Sequence, residues 1–399
     1  MLNTVSGGSS SYLPNLTGVR GLAAVWVLAF HAWQFSNGPS LVLPLPGFGL
    51  DFTPLFKCGY FGVDLFFVLS GFLLSMPFHR AALAGKSRPS LKQFWIHRCR
   101  RVLPAYWLQL LILIALFLYL GRCSAITPQI LFAHFTLAQN IVPWPVPLLN
   151  PVYWSMPVEW DFYVVLPLLA LIVARCRWPL ALLLALVFVF AFRVLCYWSL
   201  TDTTIGTFIG YGDVQQLPAR LDQFFVGICA AWIMVSKPPS ARAARAWLFS
   251  GITLIVAMAY VAAPRNDFLV NIDVPYLYFH HSATAIAFGM LVLGAAGRTQ
   301  IGAACFANRP MTFLGLISYS LYLWHYPTLQ LAQYAGLTSG VRAPASTLVL
   351  GVAVPAILLV SWLSYRYVER PFLRGDTRLP TRSAAAQAAA QPPEQITLR

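Results

Sequence analysis

Charge is the scarcest thing in this sequence. Asp, Glu, Lys and Arg make up 10% of its 399 residues, against about 25% in soluble domains. Acid is the scarcer half, with 12 Asp and Glu against 27 Lys and Arg. So little charge, beside 58% hydrophobic residues, argues against a soluble globular domain and for a membrane protein. Nor does the basic surplus make a nucleic-acid binder. Lys and Arg sit in short clusters between apolar runs, not on one solvated face, which is the pattern of a topology signal. Seven Cys with no C-x-x-C indicate neither a zinc site nor a disulfide framework, so no metal is expected. Cys58 and Cys123 fall in loops assigned to the same side and are placed to pair. The first seventeen residues, MLNTVSGGSSSYLPNLT, hold no Lys or Arg, and no A-x-A site follows the first apolar run. That run therefore reads as a retained helix and not as a cleaved leader.

Long apolar stretches are what the chain has in quantity. A spanning helix needs about 20 mostly apolar residues. Ten are expected, near 18–37, 59–79, 102–121, 157–174, 178–200, 220–236, 247–263, 276–297, 310–331 and 346–367. LVLPLPGFGLDFTPLF and PWPVPLLNP are proline-rich and read as structured loops. The residues after Arg374, with SAAAQAAAQPPEQ, are low in complexity. The expectation is an all-α polytopic membrane protein, with residues 1–374 as one membrane domain and 375–399 as a disordered cytoplasmic tail. Alternating the ten helices places 19 Lys and Arg on one side and 5 on the other. The rich side, which includes Arg80 to Arg101, is the cytoplasmic one by the positive-inside rule, and both termini then lie inside.

Ionisable groups that survive within such spans are functional candidates by default. In RGLAAVWVLAFH, Arg20 and His31 enclose ten residues without an ionisable side chain. Eleven steps bring His31 to within about 20° of the Arg20 face and about 16 Å along the helix. One stripe thus carries an arginine near the inner surface and, beyond the midplane, a group that titrates near neutral pH. Asp64 in FGVDLFFVLSGFLLS, Glu159 in VYWSMPVEWDFYVVLPLL and His325 in ISYSLYLWHYP fall in the outer half. So do Arg193, Arg220 and Asp222, which read as charge pairs holding the bundle together. On the inner side, FWIHRCRRVLPAYW sets Arg98 and Arg101 three apart on one helix face. Arginine forks suit phosphate and pyrophosphate, although the same cluster also serves as an ordinary positive-inside anchor. Phosphate chemistry inside and acid–base chemistry nearer the outside suit a phosphate-bearing donor from the cytoplasm and an acceptor from the far side. Outer-loop aromatics, Tyr153, Trp154, Tyr276 and Tyr278, are of the kind that stack on sugar rings, and equally of the kind that populate a membrane interface.

Six motifs in order resemble one family. Arg20-x10-His31, GVDLFFVLSGFLLS, Arg98-x-x-Arg101-x-x-Pro104, YWSMPVEWDFY, ISYSLYLWHYP and YVERPF are similar to those of the integral-membrane acyltransferase family 3, bacterial O-acyltransferases of cell-surface sugars, secreted polysaccharides and some antibiotics. The resemblance covers about residues 12–374. It departs at Met156-Pro157-Val158-Glu159-Trp160, where the family often has Leu before Val-Glu and Glu after it. The resemblance implies acyl transfer, most simply of acetyl, from acetyl-CoA or another acyl-CoA to a hydroxyl of a glycan or glycosylated acceptor, in the bacterial inner membrane. His31 would be the general base, and Glu159 or Asp64 would orient it and stabilise its protonated form. Arg20, Arg98 and Arg101 would hold the donor, and Trp154, Tyr322 and His325 would line the acceptor site. A transient acyl-histidine is the alternative route. Two other classes remain. A secondary transporter of a sugar or other small molecule accounts for ten helices with buried charge, but the two halves show no internal repeat. A sensory or structural membrane protein leaves the intramembrane His and Glu unexplained.

Overall fold

The computed structural model describes residues 13–121, 126–140, 149–198, 216–267, 271–272, 274–297, 299–338 and 345–373. The sequence folds almost wholly into helices. In chain order these are α1 (Pro14–Phe35), the short α2 (Thr53–Lys57), α3 (Phe61–Leu83), α4 (Leu91–Tyr119), α5 (Pro128–Phe135), α6 (Ser155–Arg175) and α7 (Trp178–Trp198). There follow α8 (Leu217–Ser236), α9 (Ala241–Ala262), α10 (Val274–Ala296), α11 (Gln300–Phe306), α12 (Arg309–Leu316) and α13 (Ser318–Thr338). The last, α14 (Ser346–Leu373), contains π-helical turns at Val349–Ala353 and Tyr365–Glu369. Local chemistry sets the starts. Ser90, Ser240, Thr299 and Asn308 each accept a hydrogen bond from a backbone N–H in the first turn of α4, α9, α11 and α12. Pro14 and Pro128 stand where a helix needs no N–H.

Among the described residues, nine helices are long and apolar enough to cross a membrane. The tenth expected span, 310–331, is divided between α12 and α13. Ser318, Ser320, His325, Gln330 and Gln333 make α13 more polar than a simple span, and several of these polar groups are turned inward. The expected disordered tail and Cys123 lie outside the described residues. Cys58 is a buried free thiol whose Sγ lies 3.5 Å from the Ala259 carbonyl.

The proline-rich stretch after α1 is a two-stranded hairpin, β1 (Val42–Leu45) and β2 (Phe48–Asp51), with Val42 opposite Asp51. Its apolar side chains are exposed, Phe48 to 64%. Asp51 ends it by accepting the Thr53 N–H at 2.8 Å, and the Thr53 bonds hold its carboxyl below the usual carboxylate range.

Within the bundle, α3 and α8 cross at glycine. A Cβ on Gly71 would strike the Phe224 backbone, and one on Gly227 would strike that of Val68. Small residues permit such crossings in membranes. Phe162 stacks on Phe224 and Phe224 on Phe67, with centroids 4.0 and 4.6 Å apart. Beside this seam lies a charged lock. Arg193 of α7 is fully buried and pairs with Asp222 of α8 at 2.9 Å, while also donating to the carbonyls of Ala219 and Tyr278. Arg220 turns instead to Asp64 of α3, 3.7 Å away. Arg220 and Asp222 are two residues apart and face different neighbours, as helix geometry requires.

The segment before α6 inserts between α4 and α13. Gln109 of α4 and Asn150 both donate to the Leu323 carbonyl, at 2.5 and 3.1 Å, and Tyr153 donates to Gln109 at 2.8 Å. Gln109 lies ten residues, about 15 Å, short of the end of α4. Leu323 stands four residues before Pro327 in α13, so its carbonyl has no helical N–H to accept, and these amide side chains satisfy it.

Candidate active site

Five helices, α1, α3, α4, α6 and α13, surround a cavity of about 110 Å³. Arg20, Arg98, Arg101, Glu159 and Tyr322 all line it, so the three expected donor-site arginines meet one of the expected catalytic acids and one expected acceptor-site residue in one place. The arginines differ in how firmly they are held. Arg101 is paired with Glu369 at 2.7 Å. Arg98 rests over the Tyr163 ring, 5.9 Å from its centroid, and its Nε has no hydrogen-bond partner among the described residues. The Arg20 guanidinium takes part in no hydrogen bond or ion pair among them, although Glu159, Glu369 and the other two arginines act on it electrostatically. Two arginines therefore present donors to the cavity with capacity to spare.

Glu159 belongs to this level. It accepts from Ser70 at 2.9 Å and from Tyr163 at 2.7 Å. Neither it nor Asp64 touches His31. Asp64 is 2.9 Å from His281 Nδ1 and 3.3 Å from the Thr284 hydroxyl, beside Arg220. The expected carboxylate partner of His31 is thus replaced. The reason is local: Asp64 faces α8 and α10, and Glu159 faces the cavity at the level of Arg20, not that of His31.

The partner of His31 is His325, whose Nε2 lies 3.1 Å from His31 Nδ1. The hydrogen-bond pattern assigns the tautomers. His31 Nδ1 is 3.0 Å from the Val27 carbonyl, and His325 Nδ1 is 3.1 Å from the Leu321 carbonyl. A carbonyl only accepts, so both Nδ1 atoms carry the hydrogen when the rings are neutral. His325 Nε2 is then an acceptor, and His31 Nδ1–H is shared between it and Val27. His31 Nε2 is left with its lone pair uncommitted.

Tyr322 joins the two levels. It lines the cavity, its ring is 5.8 Å from that of His325, and its hydroxyl meets Ser155 Oγ at 2.7 Å and donates to the Val152 carbonyl at 3.0 Å. Trp154 lies outside the cavity lining, with the Arg220 guanidinium 5.3 Å from its ring. The Tyr276 side chain lies outside the described residues. No group of three or more His, Cys, Asp and Glu among the described residues is arranged to hold a metal.

Sequence reasoning gave no role to Ser70, Tyr163, Ser155 or Glu369. Glu369 could have been found: it is one of three Glu in the chain, and it closes a span where an acid is costly.

The comparisons with known proteins agree with the family resemblance. No solved structure matches the chain. The peptidoglycan O-acetyltransferase OatA of Listeria monocytogenes is 25% identical over 385 residues, 91% of this chain and 56% of its own. The exopolysaccharide production protein ExoZ of Rhizobium meliloti is 28% identical over 348 residues, 84% of this chain and 96% of its own. The chain spans little more than half the length of the first of these relatives. The sequence model described as an acyltransferase domain matches residues 13–366, and the chain belongs to that family, acyltransferase family 3.

Proposed function

We propose that this protein is a membrane-embedded O-acyltransferase. It moves an acyl group, acetyl in the simplest case, from a coenzyme A thioester on the Arg20 side to a hydroxyl of a sugar-containing acceptor on the His31 side. One observation carries the reading: three arginines line a single cavity, and His31, with Nε2 free, stands eleven residues from Arg20 on the same helix. Arg20 and Arg98 would take donor phosphates through charge-assisted bonds. The acceptor hydroxyl oxygen attacks the thioester carbonyl carbon as His31 Nε2 removes its proton. The new C–O bond forms, the C–S bond breaks, and the imidazolium returns the proton to the departing thiolate. His325 supports the charged intermediate by accepting the Nδ1–H bond, the place a carboxylate takes in a triad. The bacterial inner membrane, with both termini cytoplasmic, is the location this reading implies, and a glycan is the acceptor class favoured by what OatA and ExoZ are named for.

The test uses inside-out vesicles carrying the full chain, loaded with or without a glycan acceptor in the lumen and given acetyl-CoA outside. Acceptor-dependent release of free thiol supports the reading. Export of the loaded glycan with no thiol release identifies a transporter instead.

A further inference from the structure

Glu369 has no part in the chemistry above, yet it is 1% exposed and closes the second π-helical turn of α14. Its carboxylate is engaged on both oxygens. Oε2 takes Arg101 Nη1, and Oε1 accepts from the Ser320 hydroxyl, which is itself 2.8 Å from Ser364 Oγ. The Arg101 guanidinium also lies 5.6 Å from the Tyr319 ring centroid, and the Tyr319 hydroxyl is tied to the Val102 carbonyl at 2.9 Å. Helices α4, α13 and α14 thus grip one guanidinium that still lines the donor cavity. Local π geometry inserts an extra residue into a turn and re-aims the side chain there, and it recurs at functional sites.

We propose that Glu369 is a positioning residue of the donor site. It holds Arg101 by one amino group, so that the remaining N–H donors of the fork face the cavity and take a phosphate of the coenzyme A thioester, and it stays paired while the donor is bound. The inference rests on the reading under Proposed function. Arginine has five donors, so one arm given to Glu369 leaves others free. Displacement of Glu369 by the phosphate would strand a buried carboxylate held in place by Ser320, a costly state. The pair therefore acts as a fixed support and does not compete with the donor.

The measurement is coenzyme A binding by calorimetry on the full chain in lipid nanodiscs, beside steady-state acyl transfer. E369Q keeps the shape and the Ser320 bond but not the charge. Its coenzyme A Kd and donor KM should rise about three- to tenfold, the size of ordering one arginine on binding. kcat at saturating donor and the acceptor KM should stay within twofold. E369D should recover part of the loss. Because Glu369 acts through Arg101, E369Q should add nothing in an R101A background. Should E369Q fail to fold, S320A, which removes only one hold on the carboxylate, should shift the Kd in the same direction by less. An unchanged Kd in the folded variants, or an equal effect of E369Q with and without Arg101, overturns the proposal. A wild-type protein that binds no coenzyme A overturns both this inference and the donor assignment. If R101A weakens binding while E369Q does not, only the role of Glu369 falls.

Discussion

Which nitrogen of His31 is free decides what that residue can do. With Nδ1–H shared between Val27 and His325, Nε2 is left to take a proton. His31→Ala should lower turnover about 10²- to 10⁴-fold, the usual worth of a general base, with a melting temperature in detergent close to wild type. His31→Gln should not restore it, since an amide hydrogen-bonds but cannot accept the proton. An inactive His31→Ala that also melts far earlier would mark the His31–His325 pair as structural. Arg98→Ala should weaken coenzyme A binding about ten- to hundredfold, the loss of one hydrogen bond to a charged group, and Arg98→Lys should recover only part because it lacks the fork. The buried Arg193–Asp222 pair differs in kind. Replacing Arg193 by Met leaves the Asp222 charge buried with only the Ser282 hydroxyl and the Gln223 N–H as donors among the described residues, and stability should fall by about 3–5 kcal/mol, read as an early melt with donor binding retained in the folded fraction.

At the scale of elements, hydropathy alone located nearly every span, because a bilayer demands long apolar runs whatever the tertiary structure. Two features escaped it. The division at Ile317 between α12 and α13 goes with Ser320 meeting Ser364 and Glu369 of α14, which periodicity does not report. The insertion of Asn150 to Trp154 between α4 and α13 depends on Gln109 and Leu323, 41 residues before and 173 after Asn150. The same distance explains the site. The stripe linking Arg20 and His31 was legible because one helix carries both, and the arginine pair because three residues separate them. The His31–His325 and Arg101–Glu369 pairs span 294 and 268 residues, and no local pattern announces them. The α3–α8 crossing gives a test at this scale. Gly71→Val places side-chain atoms against the Phe224 backbone, where no rotamer gives relief. The cost should exceed the usual 1–3 kcal/mol of overpacking, and the variant should lose its monodisperse peak on size exclusion.

For the whole molecule, the assignment of donor and acceptor sides depends on the 19-to-5 division of basic residues between faces. An alkaline phosphatase fused after Arg122 should be active and one fused after Arg374 silent. The reverse result would exchange the two sides. The cavity and the histidine pair lie in series along α1, and Tyr322 stands between them with its hydroxyl tied to Ser155 and Val152. At this spot one phenol ring stands between the cavity and the histidine pair. An enzyme that carries out the proposed transfer must still hold back ions, and that ring is the expected seal. Tyr322→Ala should therefore make vesicles leaky: a trapped pH-sensitive dye should lose its gradient faster in the variant than in wild type, with no substrate present.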